Sequence, residues 1–337
     1  MQNITQTVLD NLNVEQGIPV NKELYKKEIK SLKNEFLLIL KPELFANTNK
    51  QQISAILNFI FSKLSQYNFQ ISNARLINAA YLKQYGIMDK HYGLINAAAR
   101  HIKATITTEA INTFEQIYQI DFSTARVFGA LELLEQKTLT PQTLSSLWKA
   151  CEIKRLSSGI YSGKVQFNGR NLYIINGFHP PQLEHFIADG RLIITMNISS
   201  DTSWKIARQE MTGNTYPEKA STESIRGALY KQYGKFGFDN VSYVLNSIHL
   251  SAGPLEGLLE LQRFNSTFEK NEEVPINDFS FGKMLTENFT KTEIEKICSN
   301  PMVNYKGKTI SLFDLTEELN CDKALKLFIE LKSRSLL

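Results

Sequence analysis

The feature that most constrains the fold is a run of five apolar residues, "FLLIL" at Phe36–Leu40, which stops at Lys41-Pro42. So short a run, followed by a proline that cannot continue a hydrogen-bonded ladder, predicts a buried strand. A lysine at such a strand end normally keeps its ammonium group in water while its stem covers apolar surface. The run therefore predicts a core strand with a lysine at its mouth.

Helical and strand patterns alternate after this run. From Ile53 to Leu64 the apolar residues fall on one helical face, and Thr48 or Asn49 can cap that helix. Asn168-Gly169 predicts a hairpin turn. Further strands are predicted at "FQISNARLI", "RLIITMNI" and "YVLNSIH", and further helices at "PPQLEHFIADG", "DTSWKIARQEMTG" and the segment after Gly253-Pro254. Helices on one face of an antiparallel sheet make an α+β sandwich.

The two ends of the chain lack this alternation. Residues 1–20 are polar and end in a turn or linker, and "NKELYKKEIKSLKNE" predicts a solvated helix. Residues from about 271 onward are polar and predict a mostly helical appended subdomain. The full length of 337 residues suits one large domain or two ordinary ones.

Composition excludes several classes of protein. The net charge is only +4, and no Lys/Arg tract alternates with aromatic residues, so nucleic-acid binding is not expected. The three cysteines are far apart and form no CxxC pair, which argues against a disulfide framework or a zinc knuckle. The apolar runs are too short to cross a bilayer, and the first residues show no signal-peptide pattern. We therefore expect a cytoplasmic protein that does not bind membranes.

Four short pieces carry the chemistry: Lys41-Pro42, "RQEMTGNTYPEKA", "SIRG" and "NSIHLS" with Glu260 beyond it. Lysine, arginine and threonine side chains bind phosphate oxygens. A neutral imidazole can attack phosphorus when a carboxylate holds its ring, and Glu260 follows His249 by eleven residues. A lone histidine at a strand end is more often a packed core residue, so the assignment depends on the four pieces together.

Taken jointly, these pieces resemble the nucleoside diphosphate kinase family. That family has Lys-Pro at the end of its first strand, then an Arg before "G-x-T-x-P", then "[ST]-I-R-G", "N-x-x-H-x-S" and a Glu eleven residues after the His. The corresponding pieces here are Lys41-Pro42, Arg208, "GNTYP", "SIRG", "NSIHLS" and Glu260. The resemblance covers about half of the chain.

The resemblance implies a ferredoxin-like βαββαβ sandwich with an antiparallel sheet. The remaining patterns along the chain add a large mostly helical insertion and a helical C-terminal extension to this core. The implied domains are an N-terminal polar and helical extension (1–33), the core (34–100 and 177–266), the insertion (101–176) and the extension (267–337). It also implies ping-pong transfer of the γ-phosphate of a nucleoside triphosphate to a nucleoside diphosphate through a phosphohistidine. Mg²⁺ would arrive with ATP or another triphosphate, and no metal held tightly by protein ligands is expected.

The resemblance assigns roles residue by residue. His249 would be the nucleophile, Glu260 would orient its ring, and Ser251 would support the site. The nucleotide would contact Lys41, Tyr85, Phe178, Leu183, Arg208, Thr215, Arg226 and Asn246. Tyr92 competes with Tyr85, and His179 with Phe178. Nucleoside di- and triphosphates are the expected partners, and a homo-oligomer is left open.

Several positions depart from the family pattern. Ala252 stands where an aspartate helps to hold Mg²⁺, Leu250 replaces a glycine, and Glu43 replaces an aspartate. One extra residue separates Arg208 from Thr215, so Arg208 is expected to point elsewhere. Two alternatives stay open: a nucleotide-binding or regulatory module that has lost catalysis, and a phosphohistidine enzyme with an acceptor other than a nucleoside diphosphate.

Overall fold

The computed structural model describes residues 2–30, 32–46, 49–242 and 244–337, which fall into two compact units. The main unit comprises the residues up to Tyr85 together with Asp189–Leu337, and the inserted unit is Gly86–Ala188. The inserted unit contains the whole of the 101–176 stretch predicted as an insertion.

The strands are numbered in chain order. They are β1 Asn21–Lys26, β2 Asn34–Leu40, β3 Gln70–Asn78, β4 Val127–Gly129, β5 Ile153–Ser157, β6 Ile160–Phe167, β7 Arg170–Ile175, β8 Leu192–Ser200, β9 Ile248–Leu250, β10 Met302–Tyr305 and β11 Lys308–Ser311.

The α-helices are also numbered in chain order. They are α1 Gln2–Asp10, α2 Glu43–Ala46, α3 Lys50–Gln66, α4 Ala79–Gln84, α5 Ile87–His91, α6 Gly93–Thr105, α7 Thr108–Tyr118, α8 Ala130–Glu135, α9 Pro141–Ala150, α10 His179–Ile187, α11 Trp204–Ile206, α12 Ile225–Lys231, α13 Pro254–Asn265, α14 Ser280–Asn288, α15 Lys291–Cys298, α16 Leu312–Thr316 and α17 Cys321–Ser333.

The main unit is built on a five-stranded sheet in the order β1-β3-β8-β2-β9, with every neighbouring pair antiparallel. The predicted combination of helices with an antiparallel sheet is thus observed. The predicted strand at "FLLIL" is β2, and it lies between β8 and β9. Its five apolar residues are all buried because helices cover both faces of the sheet at this strand.

The two faces of β2 contact different helices. Phe36, Leu38 and Leu40 pack into the core that α3 completes. Leu37 and Ile39 point to the opposite face, since successive side chains of a strand alternate, and β2 contacts α13 as well. Opposite Ile39 in the neighbouring strand is His249. Directly paired residues share a face, so His249 lies on the side of the sheet that α13 covers.

The N-terminal region corrects the sequence prediction. The segment 21–26, predicted as part of a solvated helix, is the edge strand β1, paired with β3. Its lysines and glutamate suit an edge position, where charged side chains discourage pairing with another chain. Helix α1 precedes it and buries Ile4 and Val8, although that stretch was predicted as polar linker.

Local signals in the middle of the chain agree with the structure. Asn49 caps α3 through a reciprocal capping box with Gln52. The hairpin turn at Asn168-Gly169 has positive φ at both residues, as this turn type requires. The predicted last strand is shorter than expected, because it begins only at Ile248. Thr48, the other predicted cap, and Tyr243, in that predicted strand, lie outside the described residues.

The inserted unit contains helices α5–α10 and its own sheet in the order β4-β7-β6-β5, of which β4 and β7 run parallel. The prediction that this insertion is mostly helical is therefore incomplete, because the predicted hairpin belongs to a four-stranded sheet. Apolar clusters cover this sheet, one around Phe114 and Tyr173 and another around Trp148.

The C-terminal extension is helical with one exception that the sequence analysis missed. Strands β10 and β11 form a hairpin whose turn residues, Lys306 and Gly307, both have positive φ. The dipeptide Lys306-Gly307 between two alternating segments was the available signal. Throughout the described parts of the chain, the helices are too short or too polar to cross a membrane.

Candidate functional site

The centre of the candidate site is the pair formed by His249 and Glu260. Nε2 of His249 lies 2.8 Å from Oε1 of Glu260. The Glu260 side chain is 2% exposed, whereas the His249 side chain is 23% exposed. A buried carboxylate that accepts a hydrogen bond from one ring nitrogen fixes the tautomer and the orientation of the imidazole. The pair therefore presents one oriented histidine ring to solvent.

The short connection between β9 and α13 brings the side chains of His249 and Glu260 into contact. The chain leaves β9 after Leu250, turns at Gly253 and starts α13 at Pro254, a residue suited to the first turn of a helix. Glu260 lies on the second turn of that helix. The predicted spacing of eleven residues thus spans a strand end, a turn and almost two helical turns.

Ser251 acts on the backbone. Its hydroxyl donates to the Leu37 carbonyl oxygen at 3.2 Å and accepts from the Leu37 amide at 2.9 Å. Its own amide also donates to that carbonyl oxygen. These bonds hold the end of β9 against β2, so Ser251 supports the site by anchoring the histidine strand.

A strained turn precedes His249. Ser247 has a φ of 70°, and the Ile248 amide donates to the Asn246 carbonyl oxygen at 2.8 Å. These features describe a classic γ-turn, which is rare for residues other than glycine. Two bonds secure it: the Ser247 amide donates to Oε1 of Glu43 at 2.7 Å, and the Lys41 amide donates to the Ser247 carbonyl oxygen at 2.9 Å. Strain of this kind persists only where surrounding contacts impose it.

Lys41 lies beside that turn. Its Nζ donates to Oδ1 of Asn246 at 2.6 Å, and Nδ2 of Asn246 donates to the Thr215 carbonyl oxygen at 3.3 Å. The pKa of Lys41 is lowered to about 8, mainly by burial; the Glu43 carboxylate opposes this shift, and the neighbouring Arg226 adds to it. The structure thus brings together Lys41, Asn246 and Thr215, three residues that the sequence analysis assigned to nucleotide binding.

Arg226 projects from the start of α12. It donates through Nη1 to the Gly213 carbonyl oxygen at 3.0 Å and through Nη2 to the Ile248 carbonyl oxygen at 2.9 Å. The second bond links the guanidinium group to β9, one residue before His249. Lys41 and Arg226 therefore place two cations close to the histidine strand, both bonded to uncharged oxygens.

Arg208 occupies a different environment. It lies in a π-helical turn, Ala207–Thr212, that continues α11. A π turn accommodates one residue more than an α turn. Nη1 of Arg208 contacts Oε1 of Glu317 at 2.5 Å and the Ala252 carbonyl oxygen at 3.3 Å. Its predicted role as a phosphate ligand stays a prediction.

The aromatic and apolar residues predicted to contact the base have packed neighbours in the structure. Tyr85 is half-buried at the end of the first segment of the main unit, where its ring lies 4.6 Å from Tyr81 and stacks 6.0 Å from Phe268. Phe178 and Leu183 belong to the inserted unit. Phe178 packs against Trp148 and Tyr161, and Leu183 is buried in α10. Their contacts with a nucleotide stay predictions.

His179 and Tyr92, the alternatives to Phe178 and Tyr85, both lie in the inserted unit and contact each other. His179 is fully buried, with Nε2 3.1 Å from Oδ1 of Asn96, and burial lowers the pKa of its ring to about 4. Tyr92 packs edge-on against that ring, with 5.8 Å between the centroids. A buried neutral imidazole of this kind is a structural element of its own unit.

The residues around Ala252 do not suit a protein-held Mg²⁺, whose preferred ligands are carboxylate and water oxygens. Ala252 has no side-chain oxygen, and its carbonyl oxygen already accepts from Arg208 and, at 2.9 Å, from the Glu318 amide. The acidic residues next in reach of this segment are engaged elsewhere, Glu317 and Glu318 with Arg208. Ala252 therefore contributes no side-chain oxygen to a cation, and its carbonyl oxygen already accepts two hydrogen bonds.

Two carboxylates near the pair were not identified from the sequence. Burial, together with the neighbouring Glu260, raises the pKa of Glu256 to about 8. Glu317 comes from the C-terminal extension, 109 residues beyond the arginine that it contacts. Glu256 lies one helical turn before Glu260, which was a usable signal. No local pattern could have indicated Glu317.

No protein-family model matches this chain, and no curated protein matches it. One similar solved structure is a transition-state mimic of nucleoside-diphosphate kinase from Borrelia burgdorferi with bound vanadate and ADP: 12% identity, 72% of this chain and 90% of that chain covered, TM-score 0.32. Another is an NDP kinase from Pyrobaculum aerophilum: 15% identity, 70% and 96% covered, TM-score 0.34. At these identities and TM-scores, the similarity of this chain to both structures is distant.

Proposed function

We propose that this chain is a phosphotransferase of nucleoside diphosphate kinase type that works through a phosphohistidine at His249. The observation that carries the proposal is the 2.8 Å contact between Nε2 of His249 and the buried carboxylate of Glu260. A carboxylate in this position prepares a histidine for nucleophilic attack, as in other catalytic pairs.

The tautomer identifies the attacking atom. Because Glu260 accepts the Nε2 proton, the lone pair of the neutral ring is on Nδ1. Nδ1 attacks the γ-phosphorus of a nucleoside triphosphate, the bond from that phosphorus to the β,γ-bridging oxygen breaks, and the nucleoside diphosphate leaves with the electron pair. Glu260 balances the positive charge that then develops on the ring. A second nucleoside diphosphate reverses these steps, with its terminal phosphate oxygen attacking the phosphohistidine.

The cations near the histidine strand supply charge stabilisation. Phosphoryl transfer depends mainly on positioning and on neutralising charge on the phosphate oxygens. Lys41 and Arg226 are proposed to bind those oxygens, Thr215 to donate its exposed hydroxyl, and Asn246 to contact the sugar while it holds Lys41 at 2.6 Å. Arg208 is left outside this set because its guanidinium group already contacts a carboxylate.

Mg²⁺ enters the proposal as part of the substrate. Magnesium is usually bound through substrate phosphates and only one or two protein carboxylates. Since Ala252 contributes no carboxylate, the ion is proposed to arrive on the triphosphate, with no direct protein ligand from this segment.

The ferredoxin-like classification belongs to the same proposal. Strands β2, β3, β8 and β9 follow one another along the chain as first, second, third and fourth, and lie in the sheet in the order second, third, first, fourth. Helices connect the first strand to the second and the third to the fourth. That strand order and those connections support the βαββαβ assignment.

One experiment tests the proposal against its alternatives. The native protein is incubated with γ-labelled ATP, and the label is examined for acid lability and alkali stability before a chase with each nucleoside diphosphate. We expect a phosphohistidine that nucleoside diphosphates discharge. Absence of label would favour a nucleotide-binding module without catalysis, which the alanine at position 252 would suit. A label that no nucleoside diphosphate discharges would favour another acceptor.

Two variants identify the nucleophile. His249→Ala is expected to take no label while ADP still stabilises the protein against heat, because the phosphate-binding cations remain. His101→Ala is the matched control, since His101 is exposed on α6 in the inserted unit. If the His249 variant still labelled, the assignment of the nucleophile would be wrong.

A further inference from the structure

A turn in the C-terminal extension packs against the link between the histidine strand and the glutamate helix. This turn, Thr316–Glu318, begins at the last residue of α16 and contacts Ala252 and Gly253. The Glu318 amide donates to the Ala252 carbonyl oxygen at 2.9 Å. The contact at Gly253 is so close that a Cβ added there would lie 2.6 Å from the Thr316 carbonyl oxygen.

Arg208 joins the same two segments. One nitrogen, Nη1, is within bonding distance of both the Ala252 carbonyl oxygen and Oε1 of Glu317. The neighbouring Gln209 donates to Oε2 of Glu318 at 2.7 Å. The π-helical turn therefore holds the C-terminal turn from one side while Ala252 and Gly253 hold it from the other.

This arrangement determines the geometry of the pair. Ala252 and Gly253 are the only residues between Ser251, which is anchored to β2, and Pro254, the first residue of α13. A shift of this two-residue link moves α13, and with it Glu260, relative to His249. The position of the link, together with the packing of α13 on β2, thus contributes to the 2.8 Å contact.

We infer that Arg208 and the turn Thr316–Glu318 form a positioning clamp for the His249–Glu260 pair. In this role Arg208 contacts no phosphate and acts through the backbone of Ala252. The inference deepens the proposed function and rests on it where catalysis is concerned. It gives the C-terminal extension a specific part in the site.

The contrasting reading is a gate, in which Glu317 imitates a phosphate and keeps Arg208 from the nucleotide. The anchoring of the extension favours the clamp. Just after the turn, Oδ1 of Asn320 accepts from the Trp204 amide at 3.1 Å, and the Cys321 amide donates to Oδ1 of Asn34 at 3.1 Å. Asn34 and Trp204 are fully buried at the start of β2 and of α11. A segment fastened to two buried residues directly after the contact is built in as scaffold.

Gly253→Ala is the sharpest test. The φ of Gly253 is −164°, extended backbone that alanine also adopts. The added methyl group therefore acts by displacing the backbone of the turn, where the Thr316 carbonyl group and the Glu317 Cα would lie 2.6–3.1 Å away. Gly234→Ala is the matched control, because no atom lies within 4 Å of its added Cβ. We expect the first variant to lower the single-turnover rate of His249 phosphorylation about a hundredfold, the cost of a misplacement near 1 Å, with the ADP Kd unchanged. Equal rates in the two variants would overturn the clamp.

Glu317→Gln separates the clamp from the gate and serves if the glycine variant fails to fold. The clamp predicts a phosphorylation rate about tenfold lower, because one charge-assisted hydrogen bond is lost. The gate predicts a faster rate and tighter ADP binding, and either result would refute the clamp.

A spectroscopic readout keeps the clamp testable apart from catalysis. Imidazole ¹⁵N shifts at a fixed pH report how strongly His249 prefers the Nε2–H tautomer, without nucleotide or turnover. We expect that preference to fall in Gly253→Ala and Glu317→Gln and to persist in Gly234→Ala. If the native protein took no label, the proposed function would fail while this readout still tested the clamp, and unchanged shifts in all variants would refute it.

Discussion

Two cationic regions flank the candidate site, and they differ in what their charges face. In the first, Lys41 donates to the amide oxygen of Asn246, and Arg226 donates to backbone carbonyl oxygens. In the second, Arg208 lies between the carboxylates of Glu317 and Glu318, at 2.5 and 3.6 Å. All three cations match the same family pattern in the sequence, yet Lys41 and Arg226 donate to uncharged oxygens, with the Glu43 carboxylate near Lys41, whereas Arg208 contacts a carboxylate directly.

The difference shows where positive charge remains for a phosphate. Hydrogen bonds to neutral oxygens orient a cation and leave its charge in place, whereas a carboxylate cancels it. The Lys41 region is therefore suited to bind anions, and the Arg208 region is suited to hold two segments of the chain together. Residue type alone does not separate these roles.

Replacing Lys41 and Arg208 in turn tests most directly whether the two cations have different roles. Lys41→Met is expected to weaken ADP binding about a hundredfold, since losing a buried charged contact costs about 2–5 kcal/mol. Arg208→Met is expected to leave the ADP Kd unchanged. Isothermal titration calorimetry on both variants checks this, and an equal loss of affinity would place the two cations in one phosphate site.

The affinity for ADP should also depend on pH through the charge of Lys41. Its pKa is lowered to about 8, so the ammonium group is charged at neutral pH and loses its proton as the pH rises through that value. We expect a constant Kd below pH 8 and a loss of affinity approaching tenfold for each further pH unit. Titrations between pH 6.5 and 9.5, in buffers of about equal ionic strength, measure the slope. A pH-independent Kd would contradict the role of Lys41.

Glu43→Gln tests the electrostatic environment of Lys41 and is expected to have a smaller effect. The Glu43 carboxylate raises the pKa of Lys41 and accepts the amide of the strained residue Ser247. Removing its charge should move the onset of the loss in ADP affinity to lower pH. A glutamine still accepts the Ser247 amide, so the fold should be kept. An onset that did not move would mean that Glu43 acts on the turn alone.

Sequence patterns predicted elements well where local periodicity and turn chemistry decide the structure. The buried strand β2, the helix α3 and the hairpin at Asn168-Gly169 all follow from such signals. The segment 21–26 was predicted wrongly because its charge and lack of glycine also suit a solvated helix. Only pairing with β3 makes it a strand.

In the candidate site, too, local sequence patterns explain some features and tertiary contacts explain others. The sequence by itself determined the order of a strand end, a glycine-proline turn and a helix start between His249 and Glu260, whereas the pairing of the two side chains was what the family resemblance implied. Tertiary structure alone decided that Lys41 meets Asn246, 205 residues away, and that Arg208 meets Glu317 rather than a phosphate. Such contacts depend on sheet register and on the docking of distant segments, which no local preference of the chain specifies.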